Sequence, residues 1–251
     1  MNRPLKVLQV SDTHVSADPE AGYRGQNADR NLQALVPAMR DWAPDLVLLT
    51  GDISEDASPA AYARVAEMLA PIGAALLALP GNHDDPAFMQ NTFPLGPWNG
   101  PFLRQAGPWL LVLMDSTVRG SISGSFSPDD LARFEECLRS SSAKHALVAL
   151  HHQPVAVNAP WIDRYALECP DRFLQHVDRD PRVKCITWGH VHHDFRAERK
   201  GVTLLGAPSA AANSLPETPR FTLDPAGPAC RWLELYADGG VENGLLRLPC
   251  V

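Results

Sequence analysis

A chain of 251 residues, 45% hydrophobic and 20% charged, can bury a full core, and its net charge of −7 comes without a run of Lys or Arg. That balance argues against a sequence-independent grip on a nucleic acid polymer, which needs a basic face, and leaves room for a small anion in a locally positive pocket. Five cysteines without a C-x-x-C spacing predict reduced, mostly buried thiols; the apolar runs are too short to span a membrane, "MNRPLKVLQV" lacks the pattern of a secretory signal, and a cytoplasmic location with no membrane partner is expected.

Strand and helix patterns alternate along the chain. "LKVLQVS" (5–11) reads as a strand, and residues 27–42 read as a helix with Leu32, Leu35, Val36 and Met39 on one face and Asn27 as cap. Pro37 inside that helix predicts a kink or a split. "DLVLLT" (45–50) is a second strand, and Ser58-Pro59 opens a second helix with Val65, Met68 and Leu69 facing inward. "AALLAL" (74–79) is a third strand. The Pro- and Gly-rich loop 93–108 suits a lid or a homodimer contact equally well. "WLLVLM" (109–114) follows, then a helix opened by Ser127-Pro128 with Leu131, Phe134 and Leu138 on one face. "HALVAL" (145–150), "VKCITW" (183–188), "VTLLGA" (202–207) and "CRWLELYA" (230–237) complete the strands. Strands this uniformly apolar are covered on both faces, which predicts a layered α/β fold with packed sheets and helices outside.

Each of five strands runs into residues that bind metals: Asp12-Thr13-His14, Gly51-Asp52, Gly81-Asn82-His83-Asp84, His151-His152, and Gly189-His190-Val191-His192-His193. One such ending is ordinary turn chemistry; five, all at strand C-terminal ends where open α/β sheets carry their sites, point to a metal centre. Asp12 and His14 are two apart, as are His190 and His192, so an extended chain would point each pair the same way, about 7 Å apart at Cα. Carboxylate and imidazole donors suit manganese, iron, zinc or cobalt rather than a thiolate site. Two divalent ions bring four positive charges, of which Asp12 and Asp52 cancel two. The remainder attracts an anion and lowers the pKa of a bridging water, supplying hydroxide near neutral pH. Neutral Asn82 preserves that positive field.

The order D-x-H, GD, GNH[DE], a His pair and GHxH resembles the calcineurin-like metallophosphoesterases. "WID", "PRVKCITWGHVHH" and "FTLDPAGPACRWLELYADG" narrow the resemblance to the bacterial class III cyclic nucleotide phosphodiesterases, over nearly the whole chain. It implies a single domain over 1–251, a four-layer α-β-β-α sandwich of two mixed sheets flanked by helices. It also implies hydrolysis of 3′,5′-cyclic AMP to 5′-AMP by a metal-activated hydroxide. Asp12, His14 and His192 would hold the first ion, Asn82, His151 and His190 the second, with Asp52 bridging. Iron or manganese comes first among the metals, zinc or cobalt after. His83 would touch the phosphate and protonate the leaving oxygen, with His14, Asn82 and His192 also facing substrate. Asp84 is expected to orient the His83 ring. Glu55 in "GDISE" stands where purple acid phosphatases carry a metal-binding tyrosine, which argues against a ferric tyrosinate site, and "GDISEDA" lacks the arginine of the protein serine/threonine phosphatases. Other phosphodiesters of the same class, such as glycerophosphodiesters or 2′,3′-cyclic nucleotides, remain alternatives. A metal-binding scaffold without catalysis is a remoter one, because all seven ligand positions are filled.

Gln153 replaces proline in the usual histidine-proline motif and sits just outside the expected ligands. His152 and His193 read as spare members of their clusters, and His145 and His176 as structural. Asp115 suits a turn cap or a partner of a metal-bound histidine. Trp161 and Asp163 lie where the family shapes the substrate mouth, and an aromatic ring there suits either packing or stacking on a nucleobase. Asn213 is a candidate for the rim.

Overall fold

Alternate residues along the strands face different layers. In β1 (Leu5–Val10), Leu8 and Val10 join one apolar cluster and Val7 another. The computed structural model describes residues 3–93 and 101–248. The hairpin β2 (Gly22–Tyr23) and β3 (Gln26–Asn27) precedes α1 (Ala28–Trp42), followed by β4 (Leu46–Thr50), α2 (Pro59–Leu69), β5 (Ala75–Leu79) and the short α3 (Pro86–Met89). Then come β6 (Phe102–Ala106), β7 (Trp109–Leu113), α4 (Pro128–Ser140), β8 (His145–Leu150), α5 (Pro160–Asp163) and α6 (Pro170–Arg179). The chain closes with β9 (Val183–Trp188), β10 (Phe195–Arg199), β11 (Val202–Gly206), β12 (Ala229–Leu235) and β13 (Val241–Arg247).

Two mixed sheets result. One has the order β13-β12-β1-β4-β5, the other β10-β11-β9-β8-β7-β6. β1, β4 and β5 run parallel in the first sheet, and β7, β8, β9 and β11 in the second; antiparallel pairings add β12 and β13 on one side of the first sheet and β6 and β10 at the two edges of the second. Val7, Leu48, Leu77, Leu111, Leu147 and Leu233 fill the space between the sheets. Leu32, Leu35 and Met39 of α1 and Val65 of α2 cover the outer face of the first, and Phe134 of α4 and Phe173 of α6 cover that of the second. Burying such a side chain contributes about 1.5–3 kcal/mol, so the four layers follow from strands that are apolar on both faces.

Helix starts obey the sequence signals. Asn27 accepts from the Arg30 N–H and Ser58 from the Ala61 N–H, and Ser127 and Asp130 form a reciprocal capping box. α1 is not split at Pro37. The proline is exposed, so the carbonyl it leaves without a helical partner, on exposed Gln33, is open to water. The edge strands β6 and β10 were not legible as strands, because they bury little: Leu103, Arg104 and Gln105 of β6 and Arg196 and Glu198 of β10 face solvent. β6 takes up part of the loop expected over 93–108; residues 94–100 of that loop lie outside the described residues. Among the described residues no helix is long and apolar enough to cross a membrane.

Candidate dimetal centre

The parallel strands β1, β4 and β5 of one sheet and β8 and β9 of the other end on the same edge, and their C-terminal loops converge there. The backbone is not extended at these ends. Asp12 (φ 53), His14 (φ 43), Asp52 (φ 47), His190 (φ 68) and His192 (φ 53) all take the left-handed conformation, at about 1–3 kcal/mol each. The i, i+2 pairs therefore converge through left-handed kinks rather than through strand alternation. Backbone bonds lock the kinks: the Asp12 N–H donates to Gly51 O and the His14 N–H to Asp52 O, both at 3.0 Å.

The seven expected ligands come together in two groups. Asp12 Oδ1 lies 3.2 Å from His192 Nε2, which lies 3.3 Å from His14 Nε2. His151 Nε2 lies 3.2 Å from both Asn82 Oδ1 and His190 Nδ1. Asp52 Oδ2 stands between the groups, 3.4 Å from His151 Nε2 and 3.8 Å from His14 Nε2. Donors bound to one ion at about 2.0–2.2 Å lie about 3 Å from each other, so these spacings fit a pair of ions sharing Asp52.

The outward nitrogens decide the chemistry of the inward ones. His14 Nδ1 donates to Glu55 Oε2 at 2.8 Å, His151 Nδ1 to Thr50 O at 2.8 Å, His192 Nδ1 to Ala212 O at 2.8 Å, and His190 Nε2 to Tyr165 O at 3.2 Å. Each imidazole thus spends one N–H on an acceptor outside the site and turns the other nitrogen inward, the arrangement that orients metal ligands. Neutral rings would bring lone pairs face to face at 3.2–3.3 Å, a geometry that a cation between them relieves. Burial holds His14 and His190 below the usual histidine range, so both favour the neutral, ligating form. Burial pushes the Asp12 and Asp52 carboxyls up, but flanking histidines outweigh it and keep both below the usual carboxylate range.

His83 is half-buried at the mouth. Its backbone N–H donates to Asp52 Oδ1 at 2.9 Å, and its Nδ1 pairs with Glu55 Oε2 at 3.1 Å. Burial lowers the His83 pKa, but the Glu55 hydrogen bond and the Asp52 charge raise it to about 9. Burial likewise pushes Glu55 up, and the bonds to His14 and His83 hold it at about 2. Glu55, not Asp84, orients the His83 ring. Asp84 accepts instead from the backbone N–H groups of Ile53, Ser54 and Gly81 at 2.9–3.1 Å and ties the β4 and β5 loops together. Tyr23 also escaped the sequence reading: its ring stacks on His14 with centroids 3.7 Å apart and planes at 8°. Only its place in the small Gly-containing hairpin β2–β3 marks it.

Seven other candidates serve structure. His152 belongs to a group of three histidines near enough to share an ion, but its Nδ1 is engaged by Ser116 Oγ at 2.8 Å and its Nε2 by Ile122 O at 2.9 Å, so it holds the 116–124 loop. His193 turns back to Val191 O, and Asp115 caps the turn at Thr117. His145 bonds Ala237 O and His176 bonds Glu135. Asn213 is buried and braces Ser209 and Gly227 instead of forming a rim. Gln153 is buried and donates to Ile162 O at 3.0 Å. Of the described cysteines, all unpaired, Cys185 and Cys230 are buried, Cys137 is half-buried and Cys169 exposed.

Residues 5–194 match the calcineurin-like phosphoesterase family. The chain is 36% identical over 247 residues to the 3′,5′-cyclic adenosine monophosphate phosphodiesterase CpdA of Vibrio vulnificus (strain CMCP6), covering 97% of this chain and 90% of that protein. It is 32% identical to CpdA of Escherichia coli (strain K12) over 249 residues, with 97% and 90% covered. A dimetal phosphatase from Danio rerio superposes with a TM-score of 0.72 at 17% identity, covering 98% of this chain and 99% of that one, a likeness of fold.

Proposed function

The chain belongs to the calcineurin-like phosphoesterases, and on that premise we propose that it hydrolyses 3′,5′-cyclic AMP to 5′-AMP. The supporting observation is the set of inward-facing imidazole and carboxylate donors, two groups sharing Asp52, with the second nitrogen of each ring already engaged. Asp12, His14 and His192 would hold one divalent ion and Asn82, His151 and His190 the other, with Asp52 shared between them. Bound there, the two ions supply Lewis-acid charge and a water acidified toward hydroxide. Iron or manganese suits these donors, with zinc or cobalt next.

The chain's own groups do the rest. Asp12 and Asp52 contribute two negative charges and Asn82 none, so the loaded site stays positive toward a phosphodiester monoanion. His14, Asn82 and His192 line the face that the phosphate meets. His83, whose Nδ1–H is held by Glu55, carries a second proton on Nε2 and hands it to the departing 3′ oxygen, an alkoxide that leaves poorly without one. The four described cysteines, unpaired and two of them in the core, suit the reducing cytoplasm.

Turnover with Mn(II) across cyclic AMP, 2′,3′-cyclic AMP, glycerophosphocholine and an aryl phosphodiester tests the reading. The expected outcome is a kcat/KM for cyclic AMP at least about tenfold above the others. A preference for glycerophosphocholine overturns the substrate, and fewer than one ion per loaded chain overturns the dimetal centre itself.

A further inference from the structure

Beside His192 the centre is edged by aromatic rings that the reaction at phosphorus does not use. Trp161 meets the His192 ring edge-on at 6.2 Å between centroids. Phe221 meets Trp161 at 5.4 Å and His192 at 6.3 Å, again nearly perpendicular. The exposed guanidinium of Arg24 lies 4.6 Å from the Phe221 centroid. Trp161 and Phe221 are half-buried, and Leu215 and Leu223 near Phe221 in the chain are 37% and 40% exposed.

These rings are held in place. Gln153, next to the His pair, anchors the Trp161 loop through Ile162 O, and Asp163 accepts from the N–H groups of Val157 and Ala159 at 2.9 and 3.0 Å. The Phe221 segment is tied to His192 itself, because the Ser214 N–H donates to His192 O at 2.8 Å and the Leu215 N–H to Thr222 O at 2.7 Å. The Trp161 indole N–H has no hydrogen-bond partner among the described residues, so no polar contact there explains the indole's position. Trp161 packs on the core of the second sheet, and Phe221 on the separate cluster of Tyr23, Ala28, Ala211 and Ala212. The two meet beside a candidate metal ligand, 6.2 and 6.3 Å from the His192 ring.

We infer that Trp161, Phe221 and Arg24 form the subsite that receives the base of the nucleotide. Aromatic faces and a guanidinium plane are the surfaces on which a nucleobase stacks, at a strength tolerant of which base it is. The subsite selects nucleotides over base-free phosphodiesters and discriminates weakly among bases. This rests on the cyclic-nucleotide reading above.

The test compares cyclic AMP with base-free ribose 3′,5′-cyclic phosphate. Trp161→Ala and Phe221→Ala each raise the KM for cyclic AMP about tenfold, leave kcat near wild type and leave kcat/KM for the base-free ring unchanged; Trp161→Phe restores most of the KM. Equal effects on both substrates, or an unchanged KM for cyclic AMP, overturn the subsite and leave the reaction standing. A wild-type protein that ignores both cyclic substrates yet cleaves glycerophosphocholine overturns the reaction, and the subsite with it.

Discussion

Glu55 touches two imidazoles with one oxygen. Its Oε2 accepts from His14 Nδ1 at 2.8 Å and lies 3.1 Å from His83 Nδ1, so a single carboxylate orients a proposed metal ligand and the proposed acid. Loss of such an outer partner weakens affinity or rate about 10–100-fold. Glu55→Ala is therefore expected to lower kcat by about that factor and to loosen the ion held by Asp12, His14 and His192, with Glu55→Gln retaining part of both. Asn82→Ala removes a direct donor and is expected to lose one ion together with activity. His83→Ala should keep both ions and lose about 10²–10⁴ in rate, the usual share of a general acid. Plasma mass spectrometry of each variant beside its turnover separates the three; a Glu55→Ala protein with wild-type ion content and rate would remove Glu55 from the mechanism.

At the scale of strands and loops, small residues make the convergence sterically feasible. A Cβ on Gly189 would meet Ser11 Oγ and come within 2.7 Å of Thr50 O and 2.8 Å of Asp12 Oδ2. One on Gly81 would overlap Asp52 Oδ1 and lie 2.8 Å from His151 Cε1. The glycines of GD, GNH and GH thus let three loops from both sheets approach at backbone distance. Gly189→Ala is expected to cost about 1–3 kcal/mol of overpacking, read as a fall of about 2–4 °C in Tm per kcal/mol, and to displace Asp12 so that an ion is lost. Gly120→Ala is the control. Its φ is +78 but no atom of the described residues lies within 4 Å of an added Cβ, so the change should cost about 1–2 kcal/mol of backbone strain and keep both ions. Full metal content in Gly189→Ala would show that the loops tolerate separation.

For the molecule as a whole, the site spans the seam between the sheets. Asp12, Asp52 and Asn82 follow strands of one sheet, and His151, His190 and His192 strands of the other. Beneath them Gln9 of β1 donates to Thr50 Oγ1 at 3.0 Å and Trp188 O at 3.1 Å, and accepts from Thr187 Oγ1 at 2.6 Å. This buried amide is fully engaged and joins the two sheets where an unpaired polar group would cost about 1–3 kcal/mol. Ions held above it would cross-link the same seam. Manganese at about a thousand times its Kd should stabilise the fold by about 4 kcal/mol, which at this chain length raises Tm by roughly 8–16 °C. Chelation should reverse the shift, and Asn82→Ala should show a smaller one. A Tm indifferent to manganese would mean that the seam carries no ions.

Local chemistry was legible without coordinates. The apolar strands, the caps at Asn27, Ser58 and Ser127, and donor residues after five strands follow from residue type and spacing, which act over a few positions. The layered fold needed only that such strands be covered on both faces. What spacing leaves open is which group ends up beside which. Glu55 and Asp84 are both carboxylates near the motifs, and only the folded chain assigns His83 to the first and three backbone N–H groups to the second. Tyr23 reaches His14 through a hairpin too short to read, and Asn213 turns inward from a stretch that looked like surface. The left-handed backbone at five donors was likewise hidden, because each conformation is imposed by hydrogen bonds to loops distant in sequence. Tertiary structure decided these points because a side chain's partner is set by the nearest unsatisfied group in space, and in this fold that group lies as far as 197 residues away, as where Ser209 Oγ donates to Asp12 O.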